Sequence, residues 1–148
     1  MINIANVDLK RLKENATVPT YGSAEAAGAD LYACLDAPVS IKPHHTVLIG
    51  TGWAMKFPVG MVGLLYARSG LAAKQGLRPA NCVGVIDSDY RGEYMVALHN
   101  DSEEMKVVNH GDRIAQMVLA PYFAMNFTEK TELDATQRGA GGFGSTGV

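Results

Sequence analysis

The residues best suited to catalysis lie in the stretch from Gly84 to Tyr94, where an apolar segment runs into a polar turn. The turn contains two acids, an aromatic residue and an arginine, whereas a plain connection between strands needs only a pair such as Asn-Gly. Asp87 stands at the end of the apolar segment, and a carboxylate at the mouth of a rigid strand is held still, as a general base must be. The alternative is a polar turn exposed to water.

A second group with binding chemistry is Arg68-Ser69-Gly70, which follows an apolar strand predicted over Met61 to Ala67. Ser69 is a good N-cap, Leu71 to Lys74 are good helix formers, and Gly76 is a C-terminal stop, so one short helix is predicted. Free amides, a hydroxyl and a guanidinium at a helix start predict an anion site. The alternative is a capped surface helix with an incidental arginine.

Two polar residues interrupt apolar strand patterns elsewhere in the chain. Asp30 lies within Ala29 to Ala33, although strands tend to exclude Asp, so it either faces solvent or belongs to a site. Gln116 lies within the strand predicted over Arg113 to Ala120, and a buried amide must find hydrogen-bonding partners. It is either bonded to backbone or directed into a pocket.

The C-terminal segment, Arg138 to Val148, contains five of the sixteen glycines. This composition predicts a tail that is disordered by itself. The tail also contains an arginine, an aromatic residue and two hydroxyls, which suit phosphate and base binding, and glycines let backbone amides approach a phosphate. Composition therefore leaves open a flexible appendage and a segment that closes over a ligand.

Many short strand patterns, one helix and frequent turn residues predict an all-β fold, a jelly-roll-like β-sandwich with one short helix and a flexible Gly-rich C-terminal tail. The stretch around Asp87 is expected to form a hairpin between strands Cys82–Ile86 and Tyr94–His99. Met1 to Val7 and Asn126 to Leu133 are the first and last strand candidates, and Leu9 to Val18 is predicted to be a loop. One domain is expected over residues 1–148, with a β core at about 1–134 and a mobile arm at 135–148.

Composition narrows the partners and the compartment. A net charge of −2 gives no electrostatic basis for stable nucleic acid binding, and the apolar runs are far shorter than the roughly 20 residues that span a bilayer. The N-terminus has no signal-peptide core. Cys34 and Cys82 form neither a CxxC pair nor a disulfide framework, so a reduced, cytoplasmic location is expected.

Five segments occur together in an order that resembles a known family, the trimeric all-β deoxyuridine triphosphate nucleotidohydrolases (dUTPases). They are Ala27 to Leu31, Ala67 to Ala72, Gly84 to Tyr94, Gly111 to Gln116, and Arg138 to Gly147. The resemblance implies hydrolysis of dUTP to dUMP and pyrophosphate by water attack on the α-phosphorus, with Mg²⁺ as cofactor. Such a reaction limits uracil in DNA and supplies dUMP for dTMP synthesis. The resemblance also implies a homotrimer with sites at subunit interfaces, and a tail that closes over a neighbour's site.

The same resemblance implies a role for individual residues. Asp87 corresponds to the general base, Tyr90 to the aromatic residue that packs on the deoxyribose, and Asp30 to an acid that holds the metal through water. The remaining substrate-binding residues fall into three groups: Asn81, Val85, Ile86 and Met95 for uracil and sugar; Arg68, Ser69, Gly70 and Gln116 for the phosphates; and Arg138, Phe143, Ser145 and Thr146 for the tail clasp, in which Phe143 covers the uracil.

Three alternatives remain at this point. A non-zinc deoxycytidine triphosphate deaminase shares the fold, but that family places a catalytic glutamate on the strand that follows the turn, and Tyr94 to His99 contains no acid. A silent nucleotide-binding module would have no need of Asp87. A purely structural β-sandwich would leave the five segments unexplained.

Overall fold

The structure is a computed structural model, and it describes residues 4–81 and 83–142. Within these residues the chain forms short strands and one helix, and none of the described helices is long and apolar enough to cross a membrane. The elements are β1 (Asp8–Arg11), β2 (Thr20–Tyr21), β3 (Ala29–Tyr32), β4 (Val39–Ile41), β5 (Thr46–Gly50), β6 (Trp53–Lys56), β7 (Met61–Tyr66), α1 (Ser69–Gln75), β8 (Leu77–Pro79), β9 (Gly84–Ile86), β10 (Met95–Asn100), β11 (Lys106–Val108) and β12 (Arg113–Pro121).

The strands form antiparallel sheets that pack as a jelly-roll-like sandwich, which confirms the predicted fold class. The largest sheet has five strands in the order β2-β3-β12-β7-β9, and a second has three in the order β5-β10-β8. Two smaller ladders pair β1 with β6 and β11 with β4. The β12 strand lies at the centre of the five-stranded sheet, between β3 and β7.

The two larger sheets share one hydrophobic core. Leu31 and Ile114 contribute from the five-stranded sheet, and Ile49, Val96 and Leu98 contribute from the three-stranded sheet. Each of these side chains is at most 1% exposed. Full burial of such a side chain is worth about 1.5–3 kcal/mol, so this core is the main force that holds the sheets together and fixes the loops at their ends.

The hairpin predicted around Asp87 is wrong. The β9 strand pairs with β7, whereas β10 pairs with β5 and β8, so the two strands that flank the polar turn belong to different sheets. The chain enters the second sheet at Met95, which pairs with Gly50 of β5, and the preceding Tyr94 donates its backbone N–H to Trp53 O of β6 at 2.8 Å. A local pattern of two strands and a turn does not specify which partner each strand pairs with, and here distant strands provide the partners.

The expected terminal strands are also wrong. Residues 4–7 lie outside regular structure, residues 1–3 lie outside the described residues, and β1 overlaps the start of the predicted Leu9 to Val18 loop. The four residues of β1 are exposed, and the strand is held by its backbone pairing with β6. The sequence therefore shows no alternation of apolar and polar residues that would predict this strand. Asn126 to Leu133 forms no strand, and Phe127 and Leu133 are 82% and 88% exposed.

The helix α1 confirms one predicted element and corrects a detail of its start. Arg68 occupies the N-cap position with extended backbone angles and makes no side-chain cap, so Ser69 is the first helical residue instead of the predicted N-cap. The predicted stop at Gly76 is confirmed by its φ of 68°. Its N–H closes the last turn onto Ala72 O and Leu71 O, a conformation that favours glycine.

Candidate active site

A cavity of about 360 Å³ opens where β9 ends and β10 begins. The β9 strand supplies part of its wall, the turn that follows supplies polar side chains, and the start of β10 closes it. This cavity brings together all the residues predicted to bind uracil and sugar, together with the predicted base: Asn81, Val85, Ile86, Asp87, Tyr90 and Met95. It is also lined by Glu93 and Tyr94, which the sequence did not single out.

Asp87 is the first residue after β9, and its side chain is exposed to the cavity and to solvent. Within the described part of the chain its carboxylate has no hydrogen bond or ion pair, so it is available to accept a proton. The turn that carries it is closed by the Tyr90 N–H, which donates to the Asp87 carbonyl at 3.2 Å. A carboxylate fixed by the backbone and otherwise unengaged is suited to general-base chemistry.

Two tyrosines stand against each other behind the base. The Tyr90 hydroxyl donates to the Glu93 carbonyl at 3.2 Å, and the ring centroids of Tyr90 and Tyr94 are 5.9 Å apart. Tyr90 is 47% exposed and offers its ring to a ligand, while Tyr94 is 1% exposed. Burial raises the pKa of Tyr94 to about 12, so its phenol is neutral at physiological pH.

A second polar cluster is built on the five-stranded sheet around Asp30. The strand register places Gln116 opposite both Asp30 on β3 and Tyr66 on β7. Asp30 accepts from Arg68 Nε at 2.9 Å and from Arg113 Nη1 at 3.1 Å, one bond to each carboxylate oxygen. Its side chain is only 13% exposed, so the solvent-facing alternative for Asp30 is wrong.

Arg113 is a member of this cluster that the predicted site residues omit. The only signal in the sequence is its place in the Gly111 to Gln116 segment. Arg68 and Arg113 each donate one guanidinium N–H to the Asp30 carboxylate. Both residues also line a cavity of about 330 Å³. Paired guanidiniums held by one carboxylate form a rigid site for an anion such as a phosphate.

The side-chain amide of Gln116 is bonded to the backbone, which is one of its two predicted alternatives: its Nε2 donates to Ala67 O at 2.9 Å. This bond fixes the amide at the end of β7, immediately before Arg68. Ser69 and Gly70 follow, both exposed, and a Cβ built on Gly70 would meet nothing within 4 Å. The structure therefore collects the predicted phosphate-binding residues at one end of β7.

The predicted base, Asp87, and the predicted phosphate-binding residues lie at opposite ends of β7. Ile86 pairs with Gly63, so Asp87 lies near Val62, whereas Arg68 follows the far end of the strand. At about 3.3 Å per residue, the intervening strand separates the two groups by roughly 20 Å. A general base must be within hydrogen-bond reach of the reacting water, and a separation of roughly 20 Å is far beyond that reach.

The C-terminal residues lie outside both clusters as far as they are described. Arg138 Nε donates to Gly141 O at 2.8 Å, a contact within its own segment. Phe143, Ser145 and Thr146 lie outside the described residues.

The polar cluster around Asp30 offers the Asp30 carboxylate to a metal ion. The described residues contain no group of three or more His, Cys, Asp or Glu side chains that could hold a metal ion. Asp30 is already bonded to two guanidiniums, although a carboxylate offers about four acceptor sites in all. Mg²⁺ typically keeps several waters and binds one or two carboxylates together with substrate phosphates, and this donor set fits that pattern.

Comparison with known proteins places this chain in a class of nucleotide hydrolases. The family model described as dUTPase matches residues 14–147. The deoxyuridine 5'-triphosphate nucleotidohydrolase of Desulfotalea psychrophila (strain LSv54 / DSM 12343) is 51% identical over 138 residues, which are 93% of this chain and 92% of that protein. The protein of the same name from Desulfitobacterium hafniense (strain DSM 10664 / DCB-2) is 54% identical over 132 residues, 88% and 87% of the two chains.

Solved structures agree with the sequence relatives. A mutant dUTPase of Staphylococcus bacteriophage 80alpha with dUpNHpp superposes with a TM-score of 0.88 at 27% identity, covering 97% of this chain and 99% of that one. A dUTPase from phage phi11 of S. aureus, described as showing the coordination of a structural Mg(II) ion, has a TM-score of 0.78 at 24% identity over 88% and 99% of the two chains, and supports the fold alone.

The chain belongs to the dUTPase family. Members of this family hydrolyse dUTP to dUMP, and the chain is accordingly a dUTP diphosphatase.

Proposed function

We propose that the chain hydrolyses dUTP with the uracil and deoxyribose in the cavity at the end of β9 and with Asp87 as the general base. Asp87 takes a proton from a water whose oxygen forms a bond to the α-phosphorus. The bond between the α-phosphorus and the α,β-bridging oxygen breaks, and pyrophosphate leaves. The observation that carries this assignment is the unengaged Asp87 carboxylate at the mouth of the cavity.

The phosphate half of each site comes from another copy of the chain, and we propose a homotrimer with its sites at the subunit interfaces. The roughly 20 Å of strand between Asp87 and Arg68 supports this, because a base that far away cannot serve the same substrate molecule. Arg68, Ser69, Gly70 and Gln116 then bind the phosphates of a nucleotide whose base lies in the neighbouring copy's cavity.

Charge at the phosphate end is balanced by Arg68 and by Mg²⁺, which we propose as the cofactor. Mg²⁺ supplies neutralisation and orientation of the triphosphate oxygens when bound, and Asp30 would hold it through water. Asp30 also keeps the guanidinium of Arg68 in place through its 2.9 Å bond.

The tail is proposed to complete the site. Arg138, Ser145 and Thr146 would contact the γ-phosphate and Phe143 would cover the uracil, so the arm at residues 135–148 closes on substrate over a β core at about 1–134. Base–aromatic stacking is worth about 1–3 kcal/mol, which offsets part of the cost of ordering glycines. We also propose a cytoplasmic location, which the free, buried thiol of Cys34 supports.

The test uses two inactive variants in one sample. Asp87→Asn should fold and bind dUTP but lose about 10²–10⁴-fold in turnover, the usual contribution of a general base. Arg68→Ala should lose phosphate binding. If each site takes Asp87 from one copy and Arg68 from another, refolding the two variants together should regenerate some active sites, whereas each variant alone stays inactive. Turnover of Asp87→Asn within a few-fold of the wild type would refute the base assignment.

Substrate selectivity separates this function from the deaminase. The β10 strand, Met95–Asn100, contains no acid that could serve a deaminase, and Val85, Ile86 and Met95 line the cavity proposed for the uracil. A base whose hydrogen-bonding groups do not match those of the cavity costs about 1–3 kcal/mol, so dTTP and dCTP should be poor substrates. Tyr90 should reject the ribonucleotide UTP. Pyrophosphate release from each nucleotide, with ammonia release from dCTP, measures this directly.

A further inference from the structure

Glu93 connects the segment that carries Asp87 and Tyr90 to the core of the protein. Its carboxylate oxygen Oε1 accepts a half-buried hydrogen bond from the backbone N–H of Gly52 at 2.8 Å. Gly52 lies in the connection between β5 and β6, far from Glu93 in sequence. Hydrogen bonds from a backbone N–H to a carboxylate are among the stronger polar contacts in proteins, so this one anchors the turn.

The backbone at Gly50 leaves room for this carboxylate. A Cβ built on Gly50 would lie 2.5 Å from Glu93 Oε1 and 3.5 Å from Oε2, so both oxygens lie against the Gly50 backbone. Any larger residue at Gly50 would push the carboxylate away. The contact therefore depends on both residues, Glu93 for the acceptor and Gly50 for the space.

Glu93 also contacts Tyr90 through its backbone. The Tyr90 hydroxyl donates to the Glu93 carbonyl at 3.2 Å. The ring lies directly over Gly92, where a Cβ would be 2.3 Å from the hydroxyl oxygen and 2.6 Å from Cζ. The position of the Tyr90 ring is thus set by the backbone of Gly92 and Glu93, and that backbone is tied to Gly52 by the Glu93 carboxylate.

We propose that Glu93 is a positioning residue that holds the Tyr90 ring against the sugar and so sets the preference for a deoxyribonucleotide over a ribonucleotide. In the proposed role it makes no contact with the reacting phosphorus or the water. The inference rests on the role proposed above for Tyr90. It adds that selectivity is controlled from the connection between β5 and β6, through Gly50, Gly52 and Glu93.

The test compares kcat/KM for dUTP and UTP in variants of this contact. Glu93→Ala removes the acceptor, Glu93→Asp shortens it so that it no longer reaches the Gly52 N–H, and Gly50→Ala displaces it. Each should lower the dUTP/UTP ratio about 10-fold or more, because small displacements of a positioning group have large effects. Glu93→Gln keeps an oxygen acceptor and should restore most of the ratio lost in Glu93→Ala. The matched control is Glu103→Ala, on the loop between β10 and β11, which should leave the ratio unchanged.

A double-mutant cycle distinguishes this contact from general damage. Gly50→Ala and Glu93→Ala break the same interaction, so the double variant should be no less selective than the worse single variant. Additive losses, or an unchanged ratio with a lowered melting temperature, would overturn the proposal. Tyr90→Ala tests the underlying assumption: if it leaves the ratio intact, the role of Tyr90 fails, whereas a change there without one in the Glu93 and Gly50 variants rejects Glu93 alone.

Discussion

Gly28 lies directly against the side-chain amide of Gln116. A Cβ at Gly28 would stand 2.5 Å from Gln116 Oε1 and 3.2 Å from Cδ, while Nε2 on the other side of the amide donates to Ala67 O at 2.9 Å. The amide is therefore fixed between the backbone at Gly28 and the backbone at Ala67, and both residues belong to segments on which the resemblance to the dUTPase family rests. Its orientation depends on the absence of a side chain at Gly28.

Gly28→Ala should displace the Gln116 amide and raise KM for dUTP about 10-fold, with a smaller effect on kcat, because Gln116 is proposed to bind the phosphates. Steady-state hydrolysis measures both constants. Gly22→Ala is a matched control, since a Cβ there would meet nothing within 4 Å, and it should leave KM unchanged. Equal KM values for Gly28→Ala and the wild type would mean that Gln116 does not contact the substrate.

Asp30→Asn should destabilise the protein and weaken phosphate binding together. The change leaves Arg68 and Arg113 without their shared counter-charge, and an unsatisfied buried polar group costs about 1–3 kcal/mol. Denaturant unfolding gives the change in the free energy of unfolding, and titration with a non-hydrolysable dUTP analogue, with and without Mg²⁺, gives the affinity.

A surface carboxylate provides the comparison for Asp30. Asp36 pairs with Lys13 but its side chain is 84% exposed, so Asp36→Asn should change the free energy of unfolding by less than about 0.5 kcal/mol. If Asp30→Asn lowers the affinity for the dUTP analogue only when Mg²⁺ is present, Asp30 acts through the metal. If the affinity also falls without Mg²⁺, Asp30 acts through the arginines.

Tyr94→Phe should leave the protein equally or more stable at neutral pH. Within the described residues the buried Tyr94 hydroxyl has no hydrogen-bonding partner, so its removal relieves a desolvated polar group. The folded-state pKa of about 12 lies above the ordinary value of 10.0, so the folded state retains a proton that the unfolded chain releases. Ionisation of Tyr94 therefore leaves the stability of the protein unchanged below pH 10 and lowers it as the pH rises towards 12.

Melting temperatures from neutral pH to about pH 12 check this, because Tyr94→Phe should lose less stability in the alkaline range than the wild type. Tyr21→Phe is the control, since Tyr21 is 63% exposed and should not alter the alkaline loss. A large loss of stability in Tyr94→Phe at neutral pH would show that the hydroxyl is hydrogen-bonded in solution.

Deleting the chain from Arg138 onward should leave the melting temperature nearly unchanged, because residues 138–140 are exposed and the glycine-rich sequence that follows offers few side chains to a core. Hydrolysis should nevertheless fall by about 10²-fold or more, since closing segments orient the substrate and exclude water. A control that lacks only Val148 should keep its activity. Full activity of the longer deletion would mean that the tail is the appendage its composition suggests.

The fold class and many elements could be predicted because their signals are local. The pattern of apolar residues in Arg113 to Ala120 predicts β12, and Gly76 predicts the end of α1. Pairing is different, because it depends on distant residues. The sequence around Asp87 suggests a hairpin, yet β9 pairs with β7 and β10 with β5 and β8.

The site divides in the same way. The resemblance to the family predicts roles for Asn81, Asp87 and Tyr90, and the structure brings these residues into one cavity. Glu93 was not predicted, because its contact with Gly52 joins residues far apart in the chain. Arg113 was missed for the same reason, since its contact with Asp30 exists only when β3 and β12 are aligned.

The passage of the chain from β9 in one sheet to β10 in the other has a consequence for how a ligand affects the whole protein. A nucleotide that touches Val85 and Met95 at once joins the two layers of the sandwich at their rim. Bound ligand then opposes any sliding of one layer over the other, so amide exchange should slow in both sheets when the cavity is filled. We therefore expect the bound nucleotide to act as a reversible cross-link between the two sheets, and the protein without nucleotide to be more deformable than the complex.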